Sequence, residues 1–465
     1  MITIFNHYLP WRLAVLVGLE AVVLLVAVQV GVSLQIAGLQ STISAGEATA
    51  YSEAAAFALG MVIFMASMGL YQSDQWNNTR CIRARLVAPF ALATAMVALI
   101  AWLVPSLYPE LVLLGATTMT LALAGSLFVR AAFHRWSQLG AFKPRVLVLG
   151  TGSRVTKLAE YAQRNPNHQV VGYVATQPGK HYVPSGLVLP MTPGDSLLCV
   201  AERHAVDQIV LGVRDRRGGG FPVHELLECR MKGIDVVELP TFFEREYRQV
   251  MLESLNPSWM VLGDGFRQGF FRNMAKRAFD LTASIVLLLV CLPVLLLAVI
   301  CIYLESGLPV LYRQQRVGRG GRPFTLYKLR SMRKDAESNG APLWAAANDH
   351  RITRVGRFLR KSRLDELPQI LNVLKGEMSF VGPRPERPVF VDQLAKQIPF
   401  YVLRHSVKPG ITGWAQVRYS YGASVDDAVE KLQHDLYYVK NNSLFLDLMI
   451  MIATVEVVLW GRGAR

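Results

Sequence analysis

"LTASIVLLLVCLPVLLLAVICIYL", residues 281–304, is 24 residues without a charge, and how it meets a membrane decides the architecture on either side of it. About 20 apolar residues cross a bilayer, so its length permits one crossing. Charge argues against it. Lys276 and Arg277 precede the stretch, and Arg313, Arg316, Arg319 and Arg322 follow it; Lys and Arg favour the cytoplasmic side, and both flanks cannot lie there after a single crossing. Pro293 stands near the middle, where a lost backbone hydrogen bond kinks or breaks a helix. A helix that breaks at Pro293 and leaves by the face it entered reconciles the flanks. A simple kinked span is the alternative.

The same charge logic extends towards the N-terminus. With 465 residues, 52% hydrophobic content and a mean hydropathy of +0.29, the chain is too long for one ordinary domain and too apolar for a purely soluble protein. Segments 13–34, 54–70, 86–104 and 111–129 are each close to membrane-spanning length. The first lacks a small-residue cleavage site and reads as a retained span. Glu20 within it either faces the interior of a bundle or marks a later start of the span. Residues 36–53 and 105–110 carry no Lys or Arg, whereas Arg80, Arg83 and Arg85 follow the second segment and Arg130, Arg135, Lys143 and Arg145 follow the fourth. Residues 1–135 therefore read as a four-helix transmembrane bundle with both ends cytoplasmic. The net charge of +15 calls for anionic partners. Membrane spans point to lipid headgroups or phosphorylated substrates, with no nucleic acid. Cys81, Cys199, Cys229, Cys291 and Cys301 show no metal-ligand spacing and read as reduced.

From Lys143 short β-branched runs alternate with amphipathic segments. "RVLVLGTGSR" reads as strand, glycine turn and helix start, and "QVVGYVA", "QIVLGV" and "IDVVEL" add buried strands. Residues 143–250 thus read as a Rossmann-like α/β domain, followed by a linker, 251–275. Gly150 and Gly152 could let a phosphate approach the backbone. Val155 takes the place of the third glycine, so a dinucleotide site and a degenerate regulatory domain both stay open. Tyr161 is followed four residues later by Asn165, not Lys, which weighs against a nucleotide-sugar oxidoreductase. Near the C-terminus, Asp447 and Glu456 interrupt the apolar run 444–460, which reads as a helix lying on the bilayer or in a core.

Residues 310–408 hold 20 Lys or Arg against 8 Asp or Glu. Within them "RKSRLDELPQ", residues 360–369, sets Asp365 beside Glu366. On an α-helix neighbours point about 100° apart and cannot share one proton as a facing pair would. Ser362 and Asp365 fit a capping box, and a helix cap is the competing reading. The surroundings favour chemistry: Arg360 precedes the pair, Lys328 and Arg330 stand on one face of the strand-like "YKLRSM", and Arg384 sits in the rigid Gly382-Pro383-Arg384-Pro385 turn. Carboxylates among fixed cations suit phosphoryl transfer.

From about Lys276 to the end the chain resembles the bacterial sugar transferases, the polyprenyl-phosphate hexose-1-phosphate transferases. The matching stretches are "KRAFDLTAS", "LYKLRSM", "TRVGRFLRKSRLDELPQILNVLKGEMSFVGPRP", "VKPGITGWAQV" and "DLYYVKN". The ending "VEVVLWGRGAR" resembles the subgroup tied to exopolysaccharide and exosortase clusters. The resemblance implies, over 276–465, a re-entrant membrane helix broken at Pro293 and a small α/β catalytic domain on the cytoplasmic face of the bacterial inner membrane. Family members often carry Ser before that proline, and here Leu292 stands there. It further implies that Asp365 attacks a UDP-sugar, glucose or galactose first, and expels UMP. Undecaprenyl phosphate would then resolve the aspartyl-phosphosugar. Glu366 would ligate Mg2+ and Lys328, Arg330, Arg360 and Arg384 would bind phosphate. A homodimer through the membrane and middle domains is the expected assembly.

Overall fold

The computed structural model describes residues 2–4, 7–38, 47–71, 79–103, 108–137, 143–164, 168–176, 182–190, 195–213, 221–254, 269–333, 351–419, 422 and 424–460. A short antiparallel hairpin, β1 (Ile2–Ile4) and β2 (His7–Leu9), precedes four helices: α1 (Trp11–Gly38), α2 (Glu47–Ser67), α3 (Thr79–Leu103) and α4 (Tyr108–Ser137). Leu24, Met61, Met65, Leu86 and Phe90 form their shared interior. Val22, Leu59, Met96 and Phe128 point outward and are more than half exposed, and helices apolar on both faces belong in lipid. Residues Trp11–Ser33 of α1 and Leu114–Trp136 of α4 are long and apolar enough to cross a membrane; Ala54–Ser67 and Arg85–Leu99, in α2 and α3, are apolar but shorter. Glu20 faces the interior. It is fully buried and paired with Arg130, Nε to Oε1 2.6 Å and Nη2 to Oε2 3.0 Å, which removes the desolvation penalty of a lone charge.

The middle domain is a five-stranded parallel sheet of β3 (Arg145–Leu149), β4 (Gln169–Val174), β5 (Val188–Leu189), β6 (Gln208–Leu211) and β7 (Asp235–Glu238), in the order β5-β4-β3-β6-β7. Helices α5 (Ser153–Arg164), α6 (Leu197–Arg203), α7 (Val223–Met231) and α8 (Leu239–Glu246) cover it. Val146 and Val148 pack on one face with Leu158 and Phe242, Leu147 and Leu149 on the other with Ile209 and Cys229, the two-sided burial that a continuous apolar strand predicts. Numbered from its first strand this order is 3-2-1-4-5, the doubly wound order without its sixth strand. At its turn Gly150 has φ +121, but Val155 is buried beside Gly212. Tyr182 straps the turn, its N–H donating to Thr151 O (3.0 Å) and its carbonyl accepting from Thr156 Oγ1 (3.2 Å).

The membrane segment is one 37-residue helix, α9 (Phe270–Ser306), running unbroken through Pro293. This corrects the helix break anticipated there: proline deletes a single backbone bond, and the apolar turns on both sides keep the helix going. Both of its ends dock on the C-terminal domain. Lys276 Nζ donates to Val381 O (3.1 Å), Arg277 caps Val373 O and Leu374 O, and Asp280 Oδ1 accepts from Phe380 N (3.0 Å). Twenty residues on, Ala298 and Ile302 pack with Leu329 and Leu359. Val286, Leu289, Val290 and Leu297 between them are exposed.

That domain comprises the antiparallel hairpin β8 (Leu311–Val317) and β9 (Pro323–Leu329), helices α10 (Arg354–Lys361) and α11 (Ile370–Lys375), strand β10 (Ser379–Val381), α12 (Pro388–Gln397), β11 (Gly410–Thr412) parallel to β10, then α13 (Trp414–Arg418), α14 (Val425–Asn441) and α15 (Leu444–Trp460). The charges interrupting α15 are buried and paired: Asp447 with Lys276 (2.8 Å), Glu456 with Arg85 of α3 (3.5 Å). Of the two readings of this segment, the core helix is observed, with Leu446 and Ile450 inside the domain. The β1–β2 hairpin also docks here, His7 Nδ1 lying 2.9 Å from the Tyr437 hydroxyl.

Candidate active site

Helix α10 ends at Ser362, and Arg363 at φ +58 reverses the chain into a 3-10 helix, Leu364–Gln369, carrying Asp365 and Glu366. The capping-box reading is corrected. Ser362 Oγ donates backward to Phe358 O (2.8 Å) and Leu359 O (3.2 Å), so it closes α10 and does not cap the next helix. With three residues per 3-10 turn, Asp365 and Glu366 diverge by about 120°, further than on an α-helix.

Divergence gives them different surroundings. Glu366 Oε1 accepts from Lys328 Nζ of β9 and from Arg384 Nη2 of the turn after β10, both at 2.8 Å. Asp365, 7% exposed, faces a cavity of about 1130 Å3 whose wall includes Lys328, Arg330, Arg360 and Arg384. Five of the six polar residues singled out from the sequence thus line one cavity, with Glu366 behind it holding two of the cations. Arg330 differs from its expected role. Strand β9 stops at Leu329, and Arg330 Nη2 closes the end of α9 through Ser306 O (2.8 Å), Ser306 Oγ (2.8 Å) and Gly307 O, while Nε and Nη1 find no protein partner among the described residues. Pro293 lies in the exposed stretch of α9, far in sequence from these groups.

The electrostatics divide the two acids. Burial raises the Glu366 pKa, but Arg384 and Lys328 more than reverse this and hold its carboxyl well below the usual carboxylate range. Burial and then the ionised Glu366 push the Asp365 carboxyl up, against the pull of Lys328, Arg360 and Arg384. The cations alone would lower Asp365; its burial, and after that the charge of Glu366, outweigh them. Burial likewise pushes the Lys328 ammonium down, Glu366 opposing it. Among the described residues no three His, Cys, Asp or Glu converge on a metal-sized point.

Residues 271–461 match the family profile of the bacterial sugar transferases. Over 353 residues the chain is 34% identical to the UDP-glucose:undecaprenyl-phosphate glucose-1-phosphate transferase of Xanthomonas campestris pv. campestris, covering 73% of this chain and 72% of that protein. The chain belongs to the bacterial sugar transferase family. It is also 42% identical over 259 residues to the UDP-N-acetylgalactosamine-undecaprenyl-phosphate N-acetylgalactosaminephosphotransferase of Aeromonas hydrophila, over 56% of this chain, and 33% identical over 327 residues to the undecaprenyl-phosphate glucose phosphotransferase of Komagataeibacter xylinus, over 69% of this chain. It spans 60% of the length of each of these two relatives.

In this member of the family the groups that sequence reasoning missed are those that fix the cations. Arg404, 6% exposed, donates from Nη2 to Asp435 Oδ2 (2.7 Å) and to the Arg384 carbonyl (3.0 Å), and from Nη1 to the Tyr401 hydroxyl (2.8 Å). It thereby anchors the turn that presents Arg384. The same turn requires glycine: a Cβ on Gly410 would collide with the Gly382 backbone, so "VGPRP" and "KPGITGW" are two halves of one close approach. Glu305, at the end of α9, accepts from Arg354 N (2.8 Å) and Val355 N (3.1 Å) and fixes the start of the helix that carries Arg360. Of Arg404, Tyr401, Asp435 and Glu305 only Asp435, the first residue of "DLYYVKN", stands in a family stretch, and its partner Arg404 lies 31 positions away.

Proposed function

We propose that this sugar transferase moves a sugar-1-phosphate from a UDP-sugar to undecaprenyl phosphate with release of UMP, as the first membrane step of exopolysaccharide assembly. The observation that carries this reading is the division of the acid pair: Glu366 is neutralised by Lys328 and Arg384 while Asp365 alone opens onto the cation-lined cavity. A carboxylate oxygen of Asp365 attacks the sugar-linked phosphorus. The phosphorus–oxygen bond to UMP breaks, UMP carries away the electron pair, and an aspartyl-phosphosugar remains. An oxygen of undecaprenyl phosphate then attacks the same phosphorus and returns Asp365 as a free carboxylate. Two displacements through one nucleophile need little beyond positioning and charge stabilisation. Arg360 and Arg384 at the wall supply these, with the two unpartnered nitrogens of Arg330 as further donors.

Mg2+ fits this donor set as an ion held through one or two carboxylates and substrate oxygens, without a dedicated protein cage. Glu366 would hold it through Oε2, since Oε1 is taken, and the ion would offset the charge of the diphosphate. The docking of both ends of α9 on one domain, with exposed apolar residues between, supports a continuous helix that bends near Pro293 within the cytoplasmic leaflet of the inner membrane and returns to the side it entered. The donor is a UDP-hexose; the relatives are named for glucose and for N-acetylgalactosamine.

The test incubates purified protein, Mg2+ and undecaprenyl phosphate with UDP-glucose, UDP-galactose and UDP-N-acetylgalactosamine. One donor should release UMP with wild type and none with a folded Asp365→Asn variant. Release of UDP, or full activity of Asp365→Asn, overturns the proposal.

A further inference from the structure

A second cavity, about 330 Å3, lies where α9 leaves the domain, apart from Asp365. Its wall brings Arg272, Lys276, Arg277 and Asp280 of α9 together with Arg319 of the β8–β9 turn and Lys408 ahead of β11. The charges there are poorly balanced. Asp447 and Asp280 engage Lys276 (2.8 and 3.7 Å). Among the described residues Arg277 donates only to the neutral carbonyls of Val373 and Leu374. Among the described residues the side chains of Arg319 and Lys408 have no hydrogen-bond or ion-pair partner. Lys408 Nζ and Arg277 Nη2 converge, each 3.6 Å from the point a Gly376 Cβ would occupy. Burial and then Arg277 push the Lys408 ammonium below its ordinary value, Asp280 opposing them.

The position says what would neutralise them. The lining residues of α9 end at Asp280, and the uncharged stretch starts at Leu281. Phe270 and Phe271, 75% and 79% exposed, flank the cavity on the same helix, as does Leu444, 38% exposed, on α15. Cations immediately before a membrane segment, ringed by exposed aromatic and aliphatic groups, stand at headgroup depth. The volume is at the low end of the range of about 300–1,000 Å3 for small-molecule sites, and the larger cavity is the one with room for a nucleotide sugar.

We propose that this cavity binds a phosphate group, carried by the headgroup of an anionic phospholipid. The site is independent of the transfer reaction and holds the base of α9 at the membrane surface. Its test is lipid retention, not catalysis. Full-length protein is reconstituted in nanodiscs of phosphatidylcholine and phosphatidylglycerol, and the retained lipid is counted by native mass spectrometry. Wild type should retain phosphatidylglycerol over phosphatidylcholine. Arg319→Gln, an exposed change that leaves packing alone, should weaken that retention about fivefold, and Lys408→Met with it about fivefold more. Equal retention by wild type and both variants overturns the site. If inorganic phosphate raises the thermal midpoint of lipid-free wild type while phosphatidylglycerol is not enriched, the site takes a soluble phosphate and the lipid assignment falls.

Discussion

Replacing Arg404 by Met should damage stability and activity by separable routes. Arg404 is the cation of Asp435, itself 1% exposed, and the guanidinium meets Oδ2 at 2.7 and 3.1 Å. Removing one partner of such a pair strands a buried charge, at about 3–5 kcal/mol. For a domain of this size that lowers the thermal midpoint by about 6–20 °C. Burial already holds the Asp435 carboxyl above its ordinary value, Arg404 opposing. The deficit should therefore shrink on acidification, as the stranded acid takes up a proton, and be largest at neutral pH and above. Adding Asp435→Asn removes the stranded charge and should restore most of the midpoint. It cannot restore the hydrogen bond to the Arg384 carbonyl, so activity should stay about 100-fold down, the scale of a small misplacement of a positioning group. The assays are a thermal melt across pH and UMP release by the single and double variants. A double variant that regains both stability and activity would refute the claim that Arg404 positions Arg384.

Three further outcomes follow from the geometry. The raised Asp365 carboxyl must ionise to attack, so kcat/KM should rise with pH through a value above the ordinary 3.8, and Lys328→Met, which removes a cation that lowers it, should move that acid limb to higher pH; an unmoved limb contradicts the coupling. Glu305→Ala should cost about 1 kcal/mol of stability through the lost cap on α10 and lower kcat/KM through Arg360, read by melting and initial rates. Arg130→Leu should destabilise the bundle by about 3–5 kcal/mol, and Glu20→Leu in addition should recover most of it, since two apolar residues replace a buried pair; melts in detergent decide this.

The parts of this molecule that could be read from its sequence are those with a local signature. Short β-branched apolar runs marked β3, β4, β6 and β7, and uncharged length marked the membrane helices. The prolines and arginine of the Gly382–Pro385 turn announced a rigid cation. The 3-10 helix carrying Asp365 and Glu366 has no such signature, because six residues are too few to show a period, and its start mimics a capping box. Arg330 passed for a strand residue because the strand ends one position earlier, a limit set by its contact with Ser306. The direction of the Asp365 shift depends on its burial and on the charge of Glu366, and burial is a tertiary property. Asp435 meets Arg404 across 31 positions, and His7 meets Tyr437 across 430; neither separation leaves a pattern in either segment alone. Pro293 was given too much weight, since one lost hydrogen bond in a long apolar helix does not end it.

The measurement closest to the central claim is capture of the covalent intermediate. Protein is mixed with Mg2+ and a UDP-sugar labelled in the sugar-linked phosphate, without undecaprenyl phosphate, then denatured and separated. Wild type should carry label approaching one per chain, release UMP in equal amount, lose the label to hydroxylamine and surrender it on addition of undecaprenyl phosphate. The Asp365→Asn variant should carry none. Lipid-linked product formed by wild type with no label ever on the protein, or label that persists in Asp365→Asn, would contradict it.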